Sequence, residues 1–212
     1  MKKLKSILII LAFLTALGAL LSPSVQYLLG GAFVNIGYRF QDHLHQLESD
    51  EQVEELIRQN RLAAKVREFF PRSEHHPKIA LVVCMDARLD TNEIVGDTRR
   101  LYYIIRTAGS ILSLPEQDML ELAVANGITT IVLTQHTDCA AEKASNDPER
   151  RKLLPHLTNE VLAREKRIHE FLNRPEIRER IAKGGLKVLH STINTSTGEM
   201  SSPSVINPEI LE

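Results

Sequence analysis

Residues 79–88 read Ile79-Ala80-Leu81-Val82-Val83-Cys84-Met85-Asp86-Ala87-Arg88. The first five form an unbroken apolar run with no polar alternation, the pattern of a strand buried on both faces. The next five carry a thiol, a carboxylate and a guanidinium at alternate positions. If the segment stays extended, all three point to one side. The C-terminal ends of strands are where open parallel sheets build their sites.

Downstream, further strands are expected at 101–105, at 129–134, which is rich in β-branched residues, and at 186–193. Thr197-Gly198 is expected to turn the chain into a short final strand. Ser113-Leu114-Pro115-Glu116 has the spacing of a capping box and opens a helix that closes at Asn126-Gly127. Two more helical stretches are expected near 157–172 and 175–183, ended by Gly184-Gly185. Strands alternating with helices predict an α/β fold: a central, mostly parallel sheet of four to five strands flanked by helices.

Upstream, residues 40–77 read as a charged helix and a linker. Ser49 and Gln52 have capping-box spacing, and Val53, Leu56, Ile57, Ala63, Val66 and Phe70 recur at roughly helical spacing until Pro71. The first residues differ in kind. Lys2, Lys3 and Lys5 precede an apolar run from Ile7 to Leu21, broken only by Thr15 and Gly18. That layout predicts an export signal cleaved near Ser22-Pro23-Ser24, or an uncleaved anchor, since Tyr27 to Ile36 is again mostly apolar. The bland alternative is a buried N-terminal helix, against which the lack of a polar face argues. The basic flank places the bulk of the chain outside the cytoplasm. The expected organisation is therefore 1–36 signal or anchor, 37–77 helix and linker, and 78–212 a single domain that carries the chemistry.

The 212 residues carry a net charge of −1, and nothing in that balance points to nucleic acid. Two cysteines, Cys84 and Cys139, are too few for a disulfide scaffold. His136-Thr137-Asp138-Cys139 follows the third strand as Cys84 follows the first. If those strands are neighbours, two sulfurs and one imidazole meet at one edge, a donor set suited to zinc with one open position. Taken singly, each cysteine reads as a small buried hydrophobe, the pair as a disulfide, and His136 as a packed side chain. Asp138 reads as a turn or cap residue. His43, His45, His75 and His76 read as solvated surface, His190 as sheet packing, and the charges between Arg164 and Arg180 as the wet face of two helices.

Cys-x-Asp-x-Arg followed some fifty residues later by His-x-x-Cys resembles the signature of the beta-class carbonic anhydrases. Gly96-Asp97, Arg106-Thr107-Ala108-Gly109 and the helical segment Leu120 to Val124 resemble the segments between the family's two motifs. The resemblance covers roughly residues 77–200. It implies one zinc per chain on Cys84, His136 and Cys139, with Asp86 and Arg88 as the catalytic pair and Asp86 able to reach the metal in a closed state. It implies reversible hydration of carbon dioxide to bicarbonate by a zinc-bound hydroxide, in a homodimer or higher homo-oligomer. The chain departs from the family at Gln135 and Ala140, where glycine is usual, at Thr107, where asparagine is usual, and in having no tryptophan. The family's noncatalytic bicarbonate site is therefore not carried over. Two other functions compete: hydrolysis of carbonyl sulfide or carbon disulfide on the same fold, and a noncatalytic zinc-stabilised or bicarbonate-sensing protein.

Overall fold

The computed structural model describes residues 15, 18, 22–39, 48–69, 76–96 and 98–206. Most of the apolar run 7–21, as well as His43, His45, Phe70, Pro71, His75 and Asp97, lie outside the described residues. The chain divides into two compact units, Met1–Pro71 and Arg72–Glu212.

The first unit contains helix α1, Pro23–Arg39, and helix α2, Ser49–Phe69. The Glu48 amide donates to the Glu51 carboxylate at 3.1 Å, and the Gln52 backbone amide donates to the Glu48 carbonyl at 2.9 Å. A carboxylate near the helix N-terminus also meets the positive end of the helix dipole. Val53, Leu56, Ile57 and Leu62 are exposed along α2. Among the described residues no helix is long and apolar enough to cross a membrane.

The second unit is built on a five-stranded sheet of order β2-β1-β3-β4-β5. The strands are β1 Ile79–Cys84, β2 Tyr102–Thr107, β3 Thr130–His136, β4 Lys187–Ile193 and β5 Ser204–Val205. The first four are mutually parallel and β5 runs antiparallel to β4. β1 is buried on both faces, as its unbroken apolar run requires. Ala80 and Val82 pack with Leu120, Ile131, Leu133, Phe171 and Leu172 on one side, and Leu81 and Val83 pack with Leu89, Val132, Val161 and Ile193 on the other.

The helices of this unit are α3 Thr91–Val95, α4 Thr98–Leu101, α5 Leu114–Ala125, α6 Ala140–Asn146, α7 Pro148–Leu153, α8 Pro155–Leu162, α9 Arg164–Leu172 and α10 Pro175–Ala182. The single helix expected near 157–172 is two helices, parted at Ala163, where no glycine or proline marks the break. α6 and α7 were not expected, although Asp147-Pro148 is a start signal: the Asp147 carboxylate caps the Glu149 and Arg150 amides. At α5 the capping-box pair is present, but the Ser113 hydroxyl bonds the Glu116 carboxylate rather than a backbone amide.

The strand order fixes the place of the site. From β1 the chain moves to β2 on one side and then to β3 on the other, so the connections leave β1 in opposite directions. That is a switch point, where a crevice opens beyond the strand ends. The β1–β3 ladder stops at Val82–Leu133, two residues before Cys84 and three before His136. Past it the Thr134 hydroxyl donates to the Val82 carbonyl at 2.9 Å, and the strand ends are free of one another.

Candidate metal centre

Cys84 ends β1 and His136 ends β3, each one step earlier than a position after the strand. Cys139 lies at the N-terminus of α6. All three are buried, and their donor atoms lie within 4.8 Å of one another. Among the described residues this is the one group of three or more such side chains that could hold a metal ion. The two cysteines are free thiols, not a disulfide.

The donor chemistry fits a metal. His136 Nδ1 lies 3.0 Å from the Thr137 carbonyl and 3.0 Å from the Thr195 hydroxyl. A carbonyl only accepts, so Nδ1 carries the proton and Nε2 keeps its lone pair. Nε2 is buried and has no hydrogen-bond partner. An orphaned buried acceptor facing two sulfurs is what a metal ligand looks like without its metal, and the Nδ1 bond sets the tautomer that ligation needs.

The sulfurs are primed as well. Cys84 is brought down to about 5, chiefly by the thiol of Cys139 donating to it, helped by the Asp86 and Gly109 amides, against the effect of burial. Cys139 is pushed up by the same bond and by burial. The contact thus favours the thiolate on Cys84 and the thiol on Cys139, and a cation binding there competes with the proton that the two sulfurs share.

Asp86 and Arg88 are not on an extended segment. The chain turns after β1, with the Leu89 amide on the Asp86 carbonyl at 3.0 Å and the Arg88 amide on Asp86 Oδ1 at 3.0 Å. The tight turn brings the guanidinium round to meet its own turn's carboxylate. Nε donates to Oδ1 at 3.0 Å and Nη2 to Oδ2 at 2.7 Å. This bidentate pair holds the Asp86 carboxyl well below the usual carboxylate range. The Arg106 guanidinium, from β2, bonds the Asp86 carbonyl at 2.8 Å and pins the turn to the neighbouring strand.

Residues 79–171 match the family model described as carbonic anhydrase. Beta-carbonic anhydrase 1 of Mycobacterium tuberculosis and that of Mycobacterium bovis are each 34% identical over 86 residues, 39% of this chain and 50% of theirs. Over this region the chain is similar to the beta-class carbonic anhydrases. It spans about half the length of the curated relatives it matches. The fold agrees. A beta-carbonic anhydrase of Sordaria macrospora superposes with a TM-score of 0.55 at 20% identity, over 74% of this chain and 100% of that one. The carbonic anhydrase of Streptococcus mutans gives 0.53 at 20%, over 76% and 99%.

Sequence reasoning missed three groups around this centre. Asp138 is more than a turn residue: besides a φ of 63°, its carboxylate meets Arg88 and Lys143. Arg164 is not on a wet face. Its side chain is 14% exposed, with Nη2 on the Gly109 carbonyl at 2.9 Å and Nη1 on Glu142 at 2.7 Å. Thr195, far along the chain, buttresses His136. The family's usual glycines before His136 and after Cys139 are replaced by a half-buried Gln135 and an exposed Ala140. A cavity of about 290 Å³ has Gln135, Arg164 and His190 in its wall, but none of the three donors.

Proposed function

We propose that this domain is a zinc-dependent carbonic anhydrase that interconverts carbon dioxide with bicarbonate and a proton. The observation that carries the reading is the convergence of the Cys84 and Cys139 sulfurs and an unpartnered His136 nitrogen within 4.8 Å, beside a carboxylate kept ionised. Cys84, His136 and Cys139 would hold the metal, a ligand set that leaves a fourth tetrahedral position open. Zinc there supplies a Lewis acid that makes water nucleophilic at neutral pH.

The rest is done by the chain. An ionised carboxylate only accepts hydrogen bonds. Asp86 would therefore accept a hydrogen bond from the O–H of the nucleophile and so orient its lone pair toward the carbon of carbon dioxide. Arg88 keeps Asp86 from capturing that proton, because protonation would cost the bidentate pair. Orientation of this kind acts on the barrier more than on substrate affinity.

The chain is also proposed to form a homo-oligomer. β2 is a sheet edge and α2 carries exposed apolar side chains, two surfaces that ordinarily find a cover. The Sordaria relatives are described as tetrameric. A stable monomer in light scattering would overturn this. Export is proposed from Lys2, Lys3, Lys5 and the apolar run that follows, with membrane contact at least during passage. Cell fractionation with mass determination of the mature N-terminus tests it.

Stopped-flow hydration of carbon dioxide, with zinc measured on the same sample, tests the main reading. Rapid hydration at one zinc per chain is expected. Full zinc occupancy without hydration across the pH range would overturn it.

A further inference from the structure

We infer that Asp138 is a positioning residue that fixes the Arg88 guanidinium and, through it, the Asp86 carboxylate; the inference rests on the reading of the site given above. Arg88 Nη1 donates to Asp138 Oδ2 at 3.1 Å, and Nη2 donates to the Asp138 backbone carbonyl at 3.3 Å. The other side of the same planar fork is taken by Asp86, through Nε at 3.0 Å and Nη2 at 2.7 Å. The Lys143 ammonium, one turn into α6, pairs with Asp138 Oδ1 and holds the carboxylate from behind.

Asp86 and Arg88 belong to the same turn and are two residues apart. Paired only with each other they could swing as a unit, and the Arg88 side chain is 49% exposed, so solvent competes for it. Arg106 pins the backbone of the turn, and Asp138 adds the contact that fixes the far side of the Arg88 guanidinium. Asp138 lies on the loop between His136 and Cys139, the loop that carries two of the three metal donors. Arg88 is therefore referenced to the donor group itself, and the orientation of Asp86 relative to the metal follows.

The backbone of Asp138 is left-handed, with φ of 63°. A turn alone would account for a residue that tolerates that conformation, and glycine or asparagine does so at least as well as aspartate. It would not account for a carboxylate gripped by two cations from separate elements. Removal of that carboxylate is expected to leave the turn intact and release Arg88.

The test uses Asp138→Asn and Asp138→Gly in the full-length zinc protein, because both residues accept the left-handed backbone. Expected are unchanged zinc content, unchanged KM and a kcat lowered on the order of 10–100-fold, the usual cost of small misplacements. Gly, which removes every side-chain contact, should fall further than Asn, which retains an acceptor oxygen. A second readout is the visible spectrum of the cobalt-substituted protein. It should change in Asp138→Gly, as a freed Asp86 carboxylate samples the metal's open position, and Asp86→Ala on top of Asp138→Gly should reverse that change. Wild-type kcat and an unaltered cobalt spectrum in both variants would overturn the inference, and so would loss of zinc from both, which would make Asp138 a support of the metal loop. If the unsubstituted protein has no hydration activity, the functional reading fails by itself, and the cobalt spectrum still decides the role of Asp138.

Discussion

The Gly109 amide donates to the Cys84 sulfur at 3.3 Å, joining the turn after β2 to the end of β1. The contact is made possible by a left-handed backbone at Gly109, with φ of 65°. The Gly109 carbonyl is in turn held by Arg164 at 2.9 Å. A sulfur destined to carry negative charge thus meets a fixed dipole, and the dipole is braced from α9.

Gly109→Ala should damage both ends of this arrangement. A Cβ there would stand 3.3 Å from Ala141 Cβ and 3.4 Å from Ile111 Cδ1, on a backbone that alanine avoids. The zinc-loaded domain should lose roughly 1–3 kcal/mol of stability. Zinc affinity should drop as well, because the amide is pulled off the sulfur. Denaturant unfolding and chelator competition measure the two effects. Lost stability with unchanged affinity would show that the amide does not tune the ligand.

Thr195→Val removes the hydroxyl beside His136 Nδ1 while keeping the side chain's shape. The Thr137 carbonyl remains as an acceptor for Nδ1, so the tautomer survives but the ring is less firmly held. Loss of an outer-shell partner of a metal-bound histidine typically costs 10–100-fold in metal affinity or activity, and a value near the lower end is expected here. Chelator competition on Thr195→Val checks it. An unchanged zinc affinity would assign Thr195 to the Thr137 loop alone, since its amide also bonds the Thr137 hydroxyl at 3.0 Å.

Asp86→Asn should keep zinc and lose turnover, because the carboxylate is engaged by Arg88 and is not one of the three converging donors. An amide presents a donor where a lone acceptor edge is needed. The expected loss in kcat is roughly 100-fold or more, the scale of a positioned proton acceptor. Stopped-flow kinetics and zinc analysis on one preparation decide it. Loss of zinc with activity would make Asp86 a ligand.

The parts of this fold that were legible in the sequence are those where one local pattern has one physical meaning. An apolar run such as 79–83 has no way to be half-exposed, so β1 could be placed as a two-face buried strand with its chemistry at the end. The two motifs then had to meet if β1 and β3 were neighbours, as they are. What stayed hidden depends on pairing across the chain. Nothing near Thr195 says that it faces His136, 59 residues away. Arg164 reads as one more charge on a charged helix until Gly109 and Glu142 are placed around it. The turn at Asp86 was hidden for another reason. Alternation of Cys84, Asp86 and Arg88 is equally consistent with a continued strand, and the capture of the Arg88 amide by the Asp86 carboxylate settles it in favour of a turn.

The thiol pair makes the stability of the metal-free domain depend on pH with a sign that can be worked out. Cys84 has its folded value lowered to about 5, below that of an unfolded cysteine at about 8.5. A lowered acid contributes stability that is present in full above the unfolded value and is lost as pH falls through the folded one. Cys139 is shifted upward, so its contribution is present in full below the unfolded value and is lost as pH rises beyond it. Together they predict that metal-free stability from this pair climbs between about pH 5 and 8.5 and declines at higher pH. Chelator-treated protein titrated by thiolate absorbance should show a single thiolate appearing near pH 5 and the second only in strong alkali. Unfolding midpoints across the same range should rise and then fall. Replacing Cys139 with serine weakens the donor to Cys84, and should move the first titration upward and flatten the alkaline decline. If both thiolates instead appear together near the ordinary value, the two sulfurs do not share a proton, and the priming of Cys84 for a metal is not built into the empty fold.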